Sequence, residues 1–265
     1  MLHMELKRRL LIECKIKCRE DLHVGMGRPE TSVAAVDLPF QRDAMGGPFI
    51  PGSCLRGAFR AHVHRLLTSI KAMGGPEAAE ILEGESVAAD DEKEREFAQA
   101  SGDEKDQLFG ELGVIDKLFG LSGFASPLRF TDAHPVGSVE PYRRVHVAID
   151  IGTDRAKERA LLDLEAVPAG SEFTFRIIFD ELSDKRMRVA NKMFYRFLKT
   201  LAKDGVEMFL GGWRSRGYGL SEVKAIKLEE YSPSMLILGE PPRTYEKEKV
   251  ASFADRILEE LGEAE

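Results

Sequence analysis

The sequence predicts an α+β fold with a βαββαβ core and large insertions. Residues 10–18 place apolar side chains at every second position, which is typical of a half-buried strand. Residues 55–70 and 184–203 repeat apolar side chains every three or four positions, as amphipathic helices do. Further strand-like segments lie between and after these helices, at 128–133, 161–168, 172–179 and 221–228. This order of strand, helix, strands, helix and strand indicates an α+β sandwich.

Composition narrows the class of protein further. With 265 residues, 43% of them hydrophobic, the chain can bury one large core or two small ones. No apolar run approaches the length of a bilayer-spanning helix, and charged residues interrupt the N-terminal segment, so we expect no membrane partner. The three cysteines lack the spacing of a metal site or a disulfide framework. These features predict a cytoplasmic protein with reduced thiols.

The net charge of −7 argues at first against a nucleic-acid partner. However, the acidic residues concentrate in two segments, 77–107 and 229–265, and the rest of the chain carries an excess of lysine and arginine. The basic body is therefore compatible with a phosphate-binding surface.

The first strand is followed by a long loop, residues 22–47, and then by the entry to the first helix. In the loop, Asp37 has apolar neighbours and precedes an extended Leu-Pro pair, whereas Asp43 is typical of a turn. At the helix entry, Pro51 and Gly52 precede Ser53, a candidate N-cap. A helix N-terminus followed by arginines suits a phosphate. An ordinary proline-led helix start with solvated arginines is the alternative.

Two insertions and a tail interrupt or follow the core pattern. Residues 77–107 are acidic with few large apolar side chains, which indicates a mobile insertion with short helices. Residues 134–160 are basic and strand-like and turn at 152–154, which predicts a projecting hairpin. An ordinary edge hairpin protected by its charges is the alternative. Residues 231–265 end in a short amphipathic helix that can pack on this body or on a neighbour.

The most distinctive segment is a glycine-rich loop, Gly211-Gly212-Trp213-Arg214-Ser215-Arg216-Gly217-Tyr218-Gly219. It is not a P-loop, because no Gly-Lys-Ser/Thr ends it, and it is not a Rossmann fingerprint, because a strand follows it. Glycines allow close approach of a ligand to the backbone, and arginines with aromatic rings suit a single nucleic-acid strand. A tight arginine-bearing turn is the simpler interpretation.

Together, these features resemble the RAMP superfamily of CRISPR proteins. The helix entry Ile50-Pro51-Gly52-Ser53-Cys54-Leu55-Arg56-Gly57 is similar to its I-P-G-S-S-L-K/R-G signature, with Cys54 in place of the second serine. Residues 147–173 are similar to the repeated backbone subunit of type III effector complexes. The resemblance covers roughly residues 5–228. It implies a ferredoxin-like (RRM-like) palm over residues 1–230, with a thumb hairpin at 134–160.

The resemblance also implies partners: a CRISPR guide RNA, a complementary target RNA, further copies of the chain stacked head to tail in a filament, and other type III subunits. Positive charge from the helix entry and from the glycine-rich loop is expected to meet in one groove, with Arg56 and Trp213 on the same side. The residues expected to bind RNA are Ser53, Arg56, Arg60, Arg143, Arg144, Gly211, Gly212, Trp213, Arg214 and Arg216.

Catalysis is implied for one carboxylate. Residues 36–43, Val-Asp-Leu-Pro-Phe-Gln-Arg-Asp, resemble the family's catalytic loop Ile-Asp-x-Pro-x-x-Arg-Asp, so Asp37 is expected to be the catalytic residue. With a divalent metal, Mg²⁺ or Mn²⁺, it would direct a target 2′-hydroxyl against the adjacent phosphate. Asp37 is also a candidate metal ligand, and RNA phosphates would supply the remaining ligands.

Two other functions fit the same sequence. Some backbone subunits of the superfamily bind RNA without cutting it, and Asp37 would then only hold its loop. A CRISPR-RNA-processing nuclease would instead cut without metal through histidine, for which His23, His62, His64 and His146 are candidates, although His62 lies on the apolar stripe of the first helix. No nucleotide or nucleophile motif supports a small-molecule enzyme.

Overall fold

The computed structural model describes residues 4–26, 36–150, 152 and 155–263. The middle of the long loop after the first strand, and most of the turn predicted at 152–154, lie outside the described residues. The described part of the chain is a mixed α+β structure with antiparallel sheets, as the sequence predicts.

Seven strands of the described residues form the main sheet, in the order β2-β6-β1-β8-β7, with β3 on β6 and β9 on β8. Two others form a separate antiparallel hairpin, β4–β5. The strands are β1 Glu5–Cys18, β2 Leu128–Phe130, β3 His134–Pro135, β4 Tyr142–Asp150, β5 Arg155–Ala166, β6 Glu172–Ser183, β7 Val206–Phe209, β8 Leu220–Tyr231 and β9 Arg243–Glu246.

Some helices of the described residues pack on the sheet, and others are formed by the acidic segment. They are α1 Gly52–Met73, α2 Gly75–Leu82, α3 Asp91–Gln99, α4 Gly102–Glu111, α5 Val114–Phe119, α6 Arg188–Lys203, α7 Pro233–Leu238 and α8 Lys247–Glu263. The second predicted helix, 184–203, begins with a 3-10 turn at Lys185–Met187 and continues as α6.

Strand β1 is the centre of the molecule. It pairs antiparallel with β6 on one side and with β8 on the other. Its alternating residues Leu10, Ile12, Cys14, Ile16 and Cys18 are all buried. The predicted period of two is therefore confirmed, and it places one face of β1 in the core.

Helix α1 packs on strand β2 and helix α6 through an aromatic cluster. The Phe59 ring lies 5.0 Å from that of Phe130 and 5.6 Å from that of Phe197 on α6. The helix begins at Gly52, whose N–H donates to Asp132 Oδ1 at 2.7 Å. A Cβ on Gly52 would lie 2.4 Å from the Phe130 carbonyl oxygen, so only glycine fits there. The N-cap is Pro51, and the expectation that Ser53 caps the helix is wrong, because the helix starts one residue earlier.

The acidic segment packs more extensively than its composition predicts. It forms α2, α3 and α4, and Leu82, Val87, Phe97 and Phe109 from it and its flanks are buried in the main core. One buried apolar side chain on each of these helices, with Val87 between them, is thus sufficient to attach a mainly charged segment to the body.

The C-terminal residues pack on the same core. Strand β9 pairs with the end of β8, and α8 buries Val250, Phe253, Ile257 and Leu261. The helix that the sequence left free to pack on this body or on a neighbour therefore packs on this body.

A buried ionic cluster ties these C-terminal elements to β1. The Arg8 guanidinium lies 2.9 Å from Glu181 on β6, 3.0 Å from Glu230 on β8 and 3.3 Å from Glu260 on α8. Tyr195 on α6 donates its hydroxyl to Glu181, and burial raises the pKa of Tyr195 well above its usual value. Arg8 thereby contacts three elements that are far apart in the sequence.

Across the described ranges, none of the helices combines the length and the apolar composition that crossing a bilayer requires.

Candidate nucleic-acid interface

Four segments meet at the base of the β4–β5 hairpin: the loop that follows β1, the segment 36–42, the glycine-rich loop 211–219 and the hairpin strands themselves. Leu22 forms an antiparallel bridge with Val167, just after β5. The Gly212 N–H donates to the His23 carbonyl at 3.0 Å, and the Gly219 N–H donates to that of Asp21 at 2.8 Å. The loop after β1 therefore joins the hairpin to the glycine-rich loop.

The segment that carries Asp37 lies beside β5. Leu38 forms a parallel bridge with Leu164, with its N–H 3.0 Å from the Asp163 carbonyl oxygen. The Asp37 Oδ2 atom accepts the backbone N–H of Asp163 at 3.0 Å. The Asp37 side chain is exposed, and no described residue forms an ion pair with it. Asp37 is thus held by the hairpin strand while its carboxylate stays open to solvent.

Two other carboxylates shape this segment. Glu165 accepts the N–H of Phe40 at 2.9 Å and the guanidinium of Arg42 at 3.2 Å, which fixes the chain beyond Asp37. Asp43 accepts the N–H groups of Met45 and Gly47, so it closes a turn, as the sequence predicts.

The glycine-rich loop has a constrained backbone. Gly211 has φ +65°, and a Cβ there would lie 2.0 Å from the His23 carbonyl oxygen. Trp213 also lies in the left-handed region, with φ 60°. For a bulky residue that conformation is unusual and costs about 1–2 kcal/mol. The surrounding contacts must therefore offset this cost.

The rings of the loop contact the hairpin. The Trp213 ring lies 5.0 Å from the His146 ring on β4, and the Arg216 guanidinium lies 4.3 Å from the centre of the Trp213 ring. His146 Nε2 is 2.7 Å from the Tyr218 hydroxyl, and Arg144 lies over the Tyr218 ring. Burial, together with Arg144 and Arg216, lowers the pKa of His146, so its imidazole is neutral at pH 7.

Both hairpin arginines predicted to bind RNA already have acidic partners. Arg143 pairs with Asp163, and Arg144 pairs with Asp21. Arg214 and Arg216 are exposed, and Arg214 Nε donates to the Gly211 carbonyl at 3.0 Å. Of these predicted RNA contacts, the loop arginines have no acidic partner among the described residues.

Sequence reasoning missed Asp21. Its carboxylate accepts the Tyr142 hydroxyl, the Arg144 guanidinium and the Ala169 N–H, the last at 3.0 Å. Burial raises the pKa of Asp21, but these three hydrogen bonds outweigh it and leave the pKa below its usual value. No spacing or motif marks this residue, since its partners lie on distant segments.

The helix-entry residues belong to a different environment. Arg56 donates to the Phe119 carbonyl at the end of α5, and Arg60 lies 3.7 Å from Asp116. Ser53 is exposed. In the described ranges, no hydrogen bond, ion pair or ring contact joins these residues to the glycine-rich loop. The expected meeting of Arg56 and Trp213 on one RNA strand therefore stays a prediction.

The histidines give no support to a histidine nuclease. His23 is buried, with Nδ1 2.6 Å from the Glu165 carbonyl oxygen, and burial lowers its pKa. His62 lies beside the Phe197 ring, and burial lowers its pKa as well. Within the described ranges, no hydrogen bond or ion pair links a histidine to a carboxylate.

The donors near Asp37 fit a cation only in part. Where the structure describes the chain, no three His, Cys, Asp or Glu side chains come close enough to hold a metal ion. Mg²⁺, however, is commonly bound by one or two carboxylates with substrate phosphates and water completing its shell. Asp37 alone therefore suits a cation shared with RNA, not a site made by protein ligands only.

The chain combines a central antiparallel sheet with a separate β-hairpin and a glycine-rich loop packed on that hairpin. It belongs to the RAMP superfamily, whose family model matches residues 15–222. The predicted resemblance is confirmed. Among its relatives, the CRISPR system Cms endoribonuclease Csm3 of Methanocaldococcus jannaschii is 28% identical over 241 residues, which cover 86% of this chain and 84% of the relative.

Two further similarities agree with this assignment. The Csm3 endoribonuclease of Methanothermobacter thermautotrophicus is 27% identical over 241 residues, covering 86% of this chain and 88% of the relative. A chain from the cryo-EM structure of the type III-B Cmr-beta complex bound to cognate target RNA aligns with a TM-score of 0.51 at 15% identity. That alignment covers 81% of this chain and 96% of the other, and it shows a common fold.

Proposed function

We propose that this chain is an RNA-binding backbone subunit of a type III CRISPR interference complex that cleaves bound target RNA. One observation carries the proposal. Asp37, predicted to be catalytic, is an exposed carboxylate fixed by a hydrogen bond to the hairpin, in a chain whose relatives over 86% of its length are named CRISPR endoribonucleases. The three cysteines of this chain are free, which agrees with a proposed location in the cytoplasm.

The proposed fold of the core is ferredoxin-like. The strand order β2-β6-β1-β8, with α1 after β1 and α6 after β6, is the pattern expected of a βαββαβ palm. The hairpin then corresponds to the thumb. Guide RNA would lie against the helix entry and the loop arginines, and copies of the chain would follow one another along it with other subunits of the complex.

The proposed reaction is internal cleavage by a target 2′-hydroxyl. The 2′-oxygen attacks the adjacent phosphorus while the bond to the 5′-oxygen breaks, which leaves a 2′,3′-cyclic phosphate and a 5′-hydroxyl end. Asp37 Oδ2 is held by the Asp163 N–H, so Oδ1 can orient the 2′-hydroxyl and accept its proton, while solvent protonates the leaving oxygen. A divalent cation held by Asp37 and RNA phosphates would neutralise charge on the phosphate.

The test uses the assembled complex with guide RNA and labelled target RNA. Asp37→Asn retains the shape of the side chain but removes its charge, and we expect cleavage to fall by about 10²–10⁴-fold while target binding is unchanged. Asp43→Asn, in the same segment, is the matched control and should cut like the parent. Chelation should stop cleavage, and Mg²⁺ or Mn²⁺ should restore it.

The outcomes separate the three functions. Cutting by Asp37→Asn at the parent rate would refute the catalytic role of Asp37. A parent complex that binds target without cutting would indicate the purely structural subunit. Specific cutting of repeat RNA by the isolated chain in chelator would indicate the processing nuclease.

A further inference from the structure

The backbone of Trp213 suggests that its ring has a defined position. Among the described residues, only Glu83 and Trp213 are non-glycine residues with positive φ. Trp213 is neither a glycine nor an asparagine, which tolerate this conformation best. Such a conformation persists where surrounding contacts determine it. The Trp213 carbonyl accepts the Arg216 N–H at 2.9 Å within the loop, and its side chain adds contacts outside the loop.

Those contacts lead to the hairpin. The Trp213 ring packs with Leu38 against a small hydrophobic cluster formed by Leu164, Ala166 and Tyr218, which is separate from the main core. Leu164 and Ala166 belong to β5, so two aromatic side chains of the loop lie against a hairpin strand. His146 on β4 adds a ring contact to Trp213 and a hydrogen bond to Tyr218.

Asp21 connects the same parts through polar contacts. Its side chain accepts hydrogen bonds from Tyr142 and Arg144 on β4, and its carbonyl accepts the N–H of Gly219 at the end of the loop. Since β4 and β5 form a sheet of their own, these contacts, with the bridge at Leu22, contribute to holding the hairpin base against the rest of the structure.

We propose that Trp213, Tyr218 and Asp21 are positioning residues that set the direction of the β4–β5 hairpin, and that the Trp213 ring supports the hairpin instead of stacking on an RNA base. Asp37 accepts its hydrogen bond from β5, so a displaced hairpin displaces Asp37 as well. The consequence for cleavage rests on the function proposed above, whereas the positioning itself does not.

The first experiment needs no RNA. Spin labels are placed on Val147→Cys in the hairpin and Glu207→Cys on β7, both exposed, in a Cys54→Ser background, since Cys14 and Cys18 are buried. Electron–electron double resonance then gives the distribution of the distance between the two labels.

We expect Trp213→Gly and Asp21→Asn each to broaden this distribution about twofold, as for an element that has lost its attachment. Ser215→Ala, an exposed change in the same loop, is the control and should leave it unchanged. Glycine tolerates positive φ, so Trp213→Gly removes the ring without straining the backbone. An unchanged distribution in Trp213→Gly would overturn the proposal.

The second experiment exploits the single tryptophan of the chain. Single-stranded RNA is titrated into the isolated protein, with binding followed by the anisotropy of labelled RNA and Trp213 followed by its emission. Retained emission at saturation supports the hairpin contact, whereas strong quenching by stacked bases would overturn it.

In the assembled complex, the Trp213→Gly variant should cut target RNA at mixed positions. Cutting only at the single positions that the parent uses would contradict the proposal. Should RNA fail to bind, the proposed function fails and the distance measurement still decides the inference.

Discussion

The close approach of the glycine-rich loop to the loop after β1 can be tested by comparing two glycines. Gly211 and Gly217 both have positive φ, +65° and +80°. A Cβ on Gly211 would lie 2.0 Å from the His23 carbonyl oxygen, whereas a Cβ on Gly217 has no neighbour within 4 Å. Alanine at either position incurs the conformational cost, and only alanine at Gly211 also forces two backbones apart.

The magnitudes follow from these contacts. Gly217→Ala should lower the free energy of unfolding by about 1–2 kcal/mol, the cost of the left-handed conformation for an L-residue. Gly211→Ala should lower it by about 1 kcal/mol more, because the hydrogen bond from Gly212 to His23, 3.0 Å long, must lengthen or break. For a chain of this size, the additional loss lowers Tm by roughly 3 °C.

Urea unfolding and thermal melts of the two variants measure the difference. The same variants in a guide-RNA binding assay show whether the separation also disturbs the interface, and we expect weaker binding for Gly211→Ala only. Equal destabilisation by the two substitutions would refute the reasoning, since it would mean that the loop yields without disturbing His23.

Two further predictions concern ion pairs. Burial raises the pKa of Asp180, but its hydrogen bonds from Arg9 and Arg129 outweigh this and lower the pKa. The stability that these pairs contribute is present above the pKa of Asp180 in the unfolded chain, about 4, and is lost as the pH falls through its pKa in the folded chain. Between pH 7 and pH 3, the free energy of unfolding measured with urea should therefore fall less in Asp180→Asn than in the parent, and an equal fall in both proteins would contradict this. Arg8→Met should reduce the free energy of unfolding by about 3–5 kcal/mol, because buried carboxylates lose their partner. The Lys7 side chain is 41% exposed, so Lys7→Met should reduce the free energy of unfolding by less than about 1 kcal/mol. Similar reductions for the two substitutions would argue against a buried cluster.

Much of the fold was predictable because hydrophobic periodicity is a local property. Strand β1 has one buried side, and its apolar residues show this as a period of two. The apolar residues of α6 repeat about every four positions, which predicted the helix, although residues 189–195 are all buried. The acidic segment was harder, since α3 has the sequence DEKEREFAQ and a single buried residue, Phe97. The composition of this segment indicated that it is exposed. The Phe97 ring packs beside the ring of Phe109, which lies on a different helix, so the sequence of α3 alone does not indicate this contact.

The site was predictable in its parts and not in its connections. The glycine-rich loop and Asp37 stand out by residue type. That Arg143 and Arg144 have acidic partners depends on Asp163 and Asp21, and the latter lies 123 residues away from Arg144 in the sequence. A sequence pattern indicates which side chains carry charge, but it contains no information on which distant group neutralises them.

Strand β8 has a neighbour along both halves of its outer edge. Its first residues pair with β7, and Lys227–Glu230 pair with β9 from the C-terminal region. A protein shortened after Tyr231 would lose that cover and leave main-chain donors and acceptors unpaired at the rim of the sheet. Such a rim recruits strands from other molecules, so we expect the shortened protein to aggregate.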